Sequence, residues 1–339
     1  MKGKIMKNKT LPIFKAIVTD FLFWFYVVGC GRYLVYQWFE VHLNFNYHIA
    51  VSLFLTLLFF IIGDSIGKKF FVGSKKLNGK WYFHFWGLFI VLGLIVTFVV
   101  GWNVVEVKPV KFFTKFINAK NIVSGILDPN FDIFIPMLSA LAETIFLALL
   151  ATFFAIPFAF VLSFFAARNL MPKTILGNTV YIVIRTIATF FRSVEAVVWA
   201  IIFSVWVGIG PFAGMLALMI HSVAALTKLY SEQIENIDSG QIEAIKATGA
   251  NQLQVWIYAV IPQIISPYLA FTIYRWDINV RMATIVGFVG GGGIGLALLQ
   301  QQQLLRWHNV GLIIWLIAAT VWIMDMFSAK IRNKLLKTQ

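Results

Sequence analysis

Gln241-Ile242-Glu243-Ala244-Ile245-Lys246-Ala247-Thr248-Gly249, closed by Ala259-Val260-Ile261-Pro262, is a polar island between two long apolar segments. Glu243, Ala244, Lys246 and Ala247 favour a helix. Gly249 breaks the pattern, because glycine loses more backbone freedom in a helix than any other residue. Gln252 to Val260 is a second amphipathic run. Pro262 suits the first turn of a new helix, where a missing N–H costs nothing. The island therefore predicts a short helix, a turn, a second short helix and entry into a long apolar one. An exposed helix with small residues on one face can dock in a groove of another protein.

Around the island the chain is built for lipid. Of its 339 residues, 60% are hydrophobic, 17% aromatic and 12% charged. A soluble domain carries about 25% charged residues. The net charge of +14 reads as lysine and arginine at membrane edges facing the cytoplasm, and nucleic acid is not expected as a partner. Cys30 is the one cysteine, so neither a disulfide framework nor Cys/His metal spacing is available. No P-loop spacing occurs, and no acid/base or metal-ligand cluster stands out, which argues against an enzyme acting on lipids. No catalytic residue, cofactor or metal is expected in this chain, and any ATP must be used by a partner.

Eight apolar stretches are long enough to cross a bilayer of about 30 Å: 16–36, 47–62, 81–102, 136–167, 175–210, 211–230, 262–287 and 309–327. The expected architecture is an all-α polytopic membrane protein. The basic start (Lys2, Lys4, Lys7, Lys9, Lys15) resembles a signal peptide only superficially, because the apolar run after it is too long and lacks a cleavage site. Starting inside, eight crossings put the loop with Lys68, Lys69, Lys75, Lys76 and Lys80, the pair Arg168 and Lys173, the polar island and the tail with Lys330, Arg332, Lys334 and Lys337 on one side. Both termini are then cytoplasmic. Lys108, Lys111, Lys115 and Lys120 oppose this orientation. With Phe112, Phe113 and Phe116 they form an external amphipathic segment at the interface. Three regions result: 1–80, an extra pair of membrane helices; 81–135, the third span and the external segment; and 136–339, a core whose cytoplasmic loop is 231–261. The fifth stretch is too long for one straight crossing. Arg185, Arg192 and Glu195 divide it into a tilted part up to Phe191 and a crossing part from Val194.

The island resembles the EAA loop of ABC-importer permeases: Glu243-Ala244, then Gly249, then Pro262. Ile245 stands in place of the motif's second alanine, and Ala259 where an aliphatic Ile or Val is usual. The resemblance runs from about Leu141 to the end. It is closest to the phosphonate-type permease, through Gly208-Ile209-Gly210-Pro211-Phe212-Ala213-Gly214, Lys228-Leu229-Tyr230-Ser231-Glu232, Tyr274-Arg275-Trp276-Asp277-Ile278-Asn279-Val280-Arg281 and Gly290-Gly291-Gly292-Gly293-Ile294-Gly295. The resemblance implies a type I importer permease in the bacterial cytoplasmic membrane. In that family the loop, here Glu243, Ala244, Ala247 and Gly249, inserts into an ATPase subunit that carries ATP and Mg. It also implies an extracytoplasmic substrate-binding protein and a second permease chain, as a homodimer. The implied cargo is a phosphonate, phosphite or phosphate; another small solute such as an amino acid is the alternative.

The intramembrane polar residues are the candidate translocation path or gate. Arg275 lies roughly 20 Å along its helix from Pro262, and an arginine at that depth should face a partner or a water-filled path. Asp277 and Arg281 are four apart and can pair, as can Arg275 and Asn279 on another face. Either these charges neutralise one another, or Arg275 and Arg281 make a path for an oxyanion. Arg192-Ser193-Val194-Glu195 resembles the break in the equivalent family helix. An internal ion pair of Arg192 with Glu195, or a contact across a dimer axis, is expected there. His221, in mid-span, is a packing residue or a gate, and Lys228 snorkels to the inner edge. Gly287, Gly290, Gly291, Gly292, Gly293 and Gly295 do not fit a dinucleotide site, which needs a preceding strand. Their N–H groups could bind an anion, or the run could pack and move as an external gate.

Overall fold

The structure is a computed structural model that describes residues 10–62, 65–72 and 80–336. Lys2, Lys4, Lys7, Lys9, Lys75, Lys76 and Lys337, expected to mark the inner side, lie outside the described residues. All regular structure among the described residues is helical. In chain order the helices are α1 (Thr10–Phe39), α2 (Phe45–Ile62), α3 (Phe85–Val104), α4 (Pro109–Thr114), α5 (Lys120–Leu127), α6 (Phe134–Phe165) and α7 (Ile175–Ser193). There follow α8 (Ala196–Val207), α9 (Pro211–Glu235), α10 (Ser239–Ala247), α11 (Gln252–Val255), α12 (Ile261–Gly287), α13 (Gly293–Gln303) and α14 (Trp307–Leu336). Seven helices among the described residues are long and apolar enough to cross a membrane, or eight if the pair α7–α8, bent by 89°, counts as one span.

The chain divides into two compact units, Met1–Thr114 and Lys115–Gln339. In the first, α1 packs against α2 and α3. Its core is aromatic: Trp24 stacks on Phe59 with centroids 5.1 Å apart and meets Phe89 edge-on at 5.1 Å. Asp20 is 2% exposed. Its two carboxylate oxygens accept hydrogen bonds from Ser65 Oγ at 2.6 Å and the Gly67 N–H at 2.8 Å. Satisfied on both oxygens, the carboxylate tolerates burial that would otherwise be costly.

In the second unit α9 is the central helix, packed along α6 and touching α7, α8 and α12. Alanines explain the closeness of α6 and α9. Ala148, Ala151, Ala155 and Ala159 of α6 and Ala213, Ala217 and Ala224 of α9 are buried. Small residues let helices approach closely where lipid offers no hydrophobic drive. At the far end α5 crosses α14 through glycine: a Cβ on Gly311 would fall 1.9 Å from the Gly125 carbonyl oxygen. The Trp315 indole N–H donates to the Ile126 carbonyl at 2.8 Å, and Asn130 Nδ2 donates to Asn309 Oδ1 at 3.1 Å.

Two boundaries differ from the expectations drawn on the sequence. The helix of the sixth span runs on to Glu235, because Ile234 shares a buried cluster with Ala159 and Phe164 of α6 and Glu235 pairs with Arg185 of α7. Gln252 to Val260 is not a separate helix: α11 continues through a π turn, Trp256–Val260, directly into α12. Gln300 to Gln303 form the last turn of α13.

The Gly125–Gly311 crossing yields a first prediction. Gly311→Val should destabilise the purified protein by about 1–3 kcal/mol through overpacking. Gly31→Ala, which meets nothing within 4 Å, should leave the thermal unfolding midpoint unchanged or slightly raised.

Candidate coupling elbow and intramembrane polar site

The elbow is assembled from local signals. Asp238 caps α10, its Oδ1 accepting from the Gly240 N–H at 2.9 Å. Ile242 is buried and Ile245 packs against the same core, while Glu243, Ala244, Lys246 and Ala247 are exposed. The departure Ile245 thus faces the chain's own bundle, and the small and charged residues face outward. Gly249 has φ +81°, a left-handed conformation that glycine adopts without penalty. Asn251 and Gln254 then form a capping box, with bonds of 2.9 and 2.8 Å.

Behind the elbow lies a joint of two tyrosines. The rings of Tyr230 on α9 and Tyr268 on α12 stack 3.7 Å apart at 8°. Tyr268 Oη donates to the Tyr230 carbonyl at 3.1 Å and lies 3.0 Å from Ser163 Oγ on α6. Tyr230 Oη lies 2.5 Å from Thr272 Oγ1. Ile242, Val255 and Val260 of the elbow belong to the same buried cluster as these tyrosines. Nearby, Arg185 of α7 pairs with Glu235 of α9 at 2.8 Å, and Lys228 with Glu232 at 3.5 Å. In sequence this region is marked by Arg185 and by the Lys228–Glu232 motif, which contains Tyr230.

Deeper in the bundle the four singled-out residues of α12 separate into two groups. Asp277 and Arg281 pair at 2.6 Å, and Arg281 also meets Asp325 of α14 at 3.1 Å. Arg281 is thus held between two carboxylates, one of which, Asp325, was not singled out from sequence. Arg275 is 6% exposed. Its Nε donates to Ser222 Oγ on α9 at 3.0 Å, and its buried Nη2 has no hydrogen-bond partner. No carboxylate among the described residues pairs with it. Asn279 donates through Nδ2 to Ser222 Oγ and Thr152 Oγ1, both at 2.8 Å, and its Oδ1 accepts from Ser222 at 3.1 Å. Arg275 and Asn279 therefore share Ser222, and this polar cluster joins α6, α9 and α12 at mid-depth.

His221 Nδ1 lies 3.1 Å from the Val194 carbonyl, which ties α9 to the bend between α7 and α8. The expected ion pair of Arg192 with Glu195 does not form. The 89° bend falls between the two residues, and both are exposed. Residues three apart are neighbours only on a continuous helix. Instead Phe191 and Trp199 stack across the bend at 5.0 Å.

The glycine run is a tight reversal between α12 and α13, with φ of +93° at Gly290, +77° at Gly292 and +66° at Gly293; Gly291 lies within it. The N–H of Gly293 donates to Glu143 Oε1 at 3.3 Å and that of Ile294 to Thr144 Oγ1 at 2.8 Å. The first N–H groups of α13 are thus taken by side chains of α6. A carboxylate at a helix N-terminus is favourable electrostatically, so the reading of this run as a ready anion site gives way to a capped turn.

Ser222 is the testable centre of the cluster. Ser222→Ala removes the acceptor of a charged donor and should cost about 1.5–3 kcal/mol. Ser204→Ala, which loses only a bond to its own helix at Ala200, should cost less in the same thermal unfolding assay.

Residues 159–333 match the family model described as binding-protein-dependent transport system inner membrane component. The chain is 35% identical over 207 residues to the phosphite transport system permease protein PtxC of Stutzerimonas stutzeri, covering 61% of this chain and 74% of that one. It is 30% identical over 243 residues to the phosphate-import permease protein PhnE of Mycolicibacterium smegmatis, covering 71% of this chain and 45% of that one. A crystal structure of an amino acid ABC transporter superposes with a TM-score of 0.50 at 19% identity, over 61% of this chain and 95% of that chain, which bears on the fold alone. The matched residues contain the bend, the elbow, the arginine helix and the glycine turn, and the chain belongs to the family of binding-protein-dependent transport system inner membrane components, the permeases of ABC importers.

Proposed function

We propose that this permease carries a phosphorus oxyanion (phosphite, a phosphonate or phosphate) into the cell, using ATP hydrolysed with Mg on partner subunits. The observation that carries the substrate class is the buried guanidinium of Arg275, which forms no ion pair among the described residues and whose Nη2 has no hydrogen-bond partner. A buried charge without a counter-ion is costly, and an arginine fork matches a tetrahedral oxyanion. The relatives named for phosphite and phosphate transport point the same way. Arg281, neutralised by Asp277 and Asp325, serves instead to join α12 and α14.

The working unit is a homodimer, with Arg192 and Glu195 exposed at the bend to meet the second copy. Two ATPase subunits grip the exposed face of α10 at Glu243, Ala244 and Ala247, with Gly249 as its hinge. This side, and both termini, are cytoplasmic. A binding protein delivers the anion at the opposite end, near Gly290, Gly291, Gly292 and Gly293. ATP-driven closure displaces α10, and the tyrosine joint passes that displacement to α9 and α12. Their relative motion, with His221 following the bend at Val194, uncovers and covers Arg275. The contact must stay weak, because the cargo has to leave; Ser222 and Asn279 hold the side chain in place.

The test is uptake of radiolabelled phosphite by vesicles containing the complete importer. Arg275→Gln should lower uptake at least tenfold with an unchanged complex on size exclusion, and Arg275→Lys should retain part of it. Undiminished phosphite import by Arg275→Gln would overturn the substrate reading and favour an uncharged cargo.

A further inference from the structure

The first unit lies outside the residues that match the family, and it holds a cavity that the proposed transport path leaves unassigned. Where α1 meets α2 through residues 40–44, a cavity of about 560 Å³ is lined by Phe25, Arg32, Tyr33, Tyr36, His42 and His48 among others. Arg32 is seven residues from the last residue of α1, so its Cα lies about 10 Å inside an apolar helix. An arginine within a membrane span normally pairs or lines a functional cavity.

Arg32 has no pair. Among the described residues no carboxylate lies within ion-pair distance, and its guanidinium donates no hydrogen bond. Its one contact of note is with the face of Phe45, 5.8 Å from Cζ to the ring centroid. Asp20 of the same helix is twelve residues away, roughly 18 Å along the axis, and is already satisfied by Ser65 and Gly67. Glu40, the carboxylate of the connection, is exposed and does not line the cavity. The remaining walls add donors and aromatic faces. His42 packs on Tyr36 at 4.6 Å, and His48 is anchored by Nε2 to the Phe25 carbonyl at 3.0 Å. One permanent cation, two phenols and two imidazoles thus meet in a pocket without a carboxylate.

We propose that this cavity binds a phosphate group, with Arg32 as its bidentate anchor and Tyr36 and His42 as flanking donors. A tetrahedral oxyanion supplies both the counter-charge and the acceptors that the guanidinium lacks. The group can come from a phospholipid headgroup at the membrane edge or from a free phosphorus oxyanion, and the two sources are separable. The proposal does not depend on Arg275 or on the transported substrate.

The full chain, purified in a phosphate-free sugar detergent, is titrated with phosphatidylglycerol, with a glycolipid of matched acyl chains, or with inorganic phosphate. Thermal unfolding and native mass spectrometry are the readouts. A rise in the midpoint with phosphatidylglycerol alone assigns the lipid headgroup; a rise with inorganic phosphate assigns the free anion. In either arm Arg32→Gln should weaken the apparent affinity at least tenfold, and Arg32→Lys should recover part of it. Should Arg32→Gln fail to fold, Tyr36→Phe and His42→Ala at exposed positions should each weaken it severalfold. No response to either phosphate source, an equal response to the glycolipid, or an unaltered response in the folded variants would overturn the proposal.

Discussion

Two tyrosine rings stacked 3.7 Å apart, Tyr230 on α9 and Tyr268 on α12, hold the polar elbow to the apolar bundle. A helix as short as α10, with nine residues, is marginal in isolation. It stands because Ile242 and Ile245 insert into the cluster that contains both tyrosines. The hydroxyls find partners on three helices: Ser163 on α6, the Tyr230 carbonyl on α9 and Thr272 on α12. The stacked rings and their satisfied hydroxyls tie α9 and α12 to the cluster that α10 enters.

The charges obey the constraint that lipid places on every polar group, which is to find a partner inside the protein. Asp20 is satisfied by Ser65 and Gly67, and Arg281 lies between Asp277 and Asp325. Glu143 meets the start of α13. Arg275 Nη2 is buried without a hydrogen-bond partner, as are Asp277 Oδ1 and Arg332 Nε, but Asp277 is paired through its other oxygen with Arg281, and Arg32 lines a cavity. Arg275 and Arg281 lie six residues apart on one helix, and sequence alone offers the same two readings for both. Their neighbours on other helices separate them.

What was legible in the sequence was local. The elbow showed through its helix formers, Gly249 and Pro262, and the spans through their apolar length. The division of the fifth span showed through the polar residues around its 89° bend. The pairing of Asp277 with Arg281 followed from their spacing. What was not legible depends on residues far apart in the chain. Glu143 and Thr144 cap a helix 150 residues later, Asp325 reaches Arg281 across 44 residues, and Tyr230 meets Tyr268 across 38. The Arg192–Glu195 expectation failed for a related reason: the bend removed the helical continuity on which the spacing argument rested. The coupling role came from resemblance, since periodicity identifies an exposed helix but not what grips it.

The central claim is that the outward face of α10 meets the force-generating partner and moves with the bundle. In a chain with Cys30→Ser, a single cysteine at Ala244 should form a cross-link with the ATPase subunit of the intact importer. Its yield should change between the nucleotide-free and ATP-bound states. Absence of that cross-link, together with labelling of the same cysteine by an impermeant thiol reagent from outside intact cells, would contradict the account.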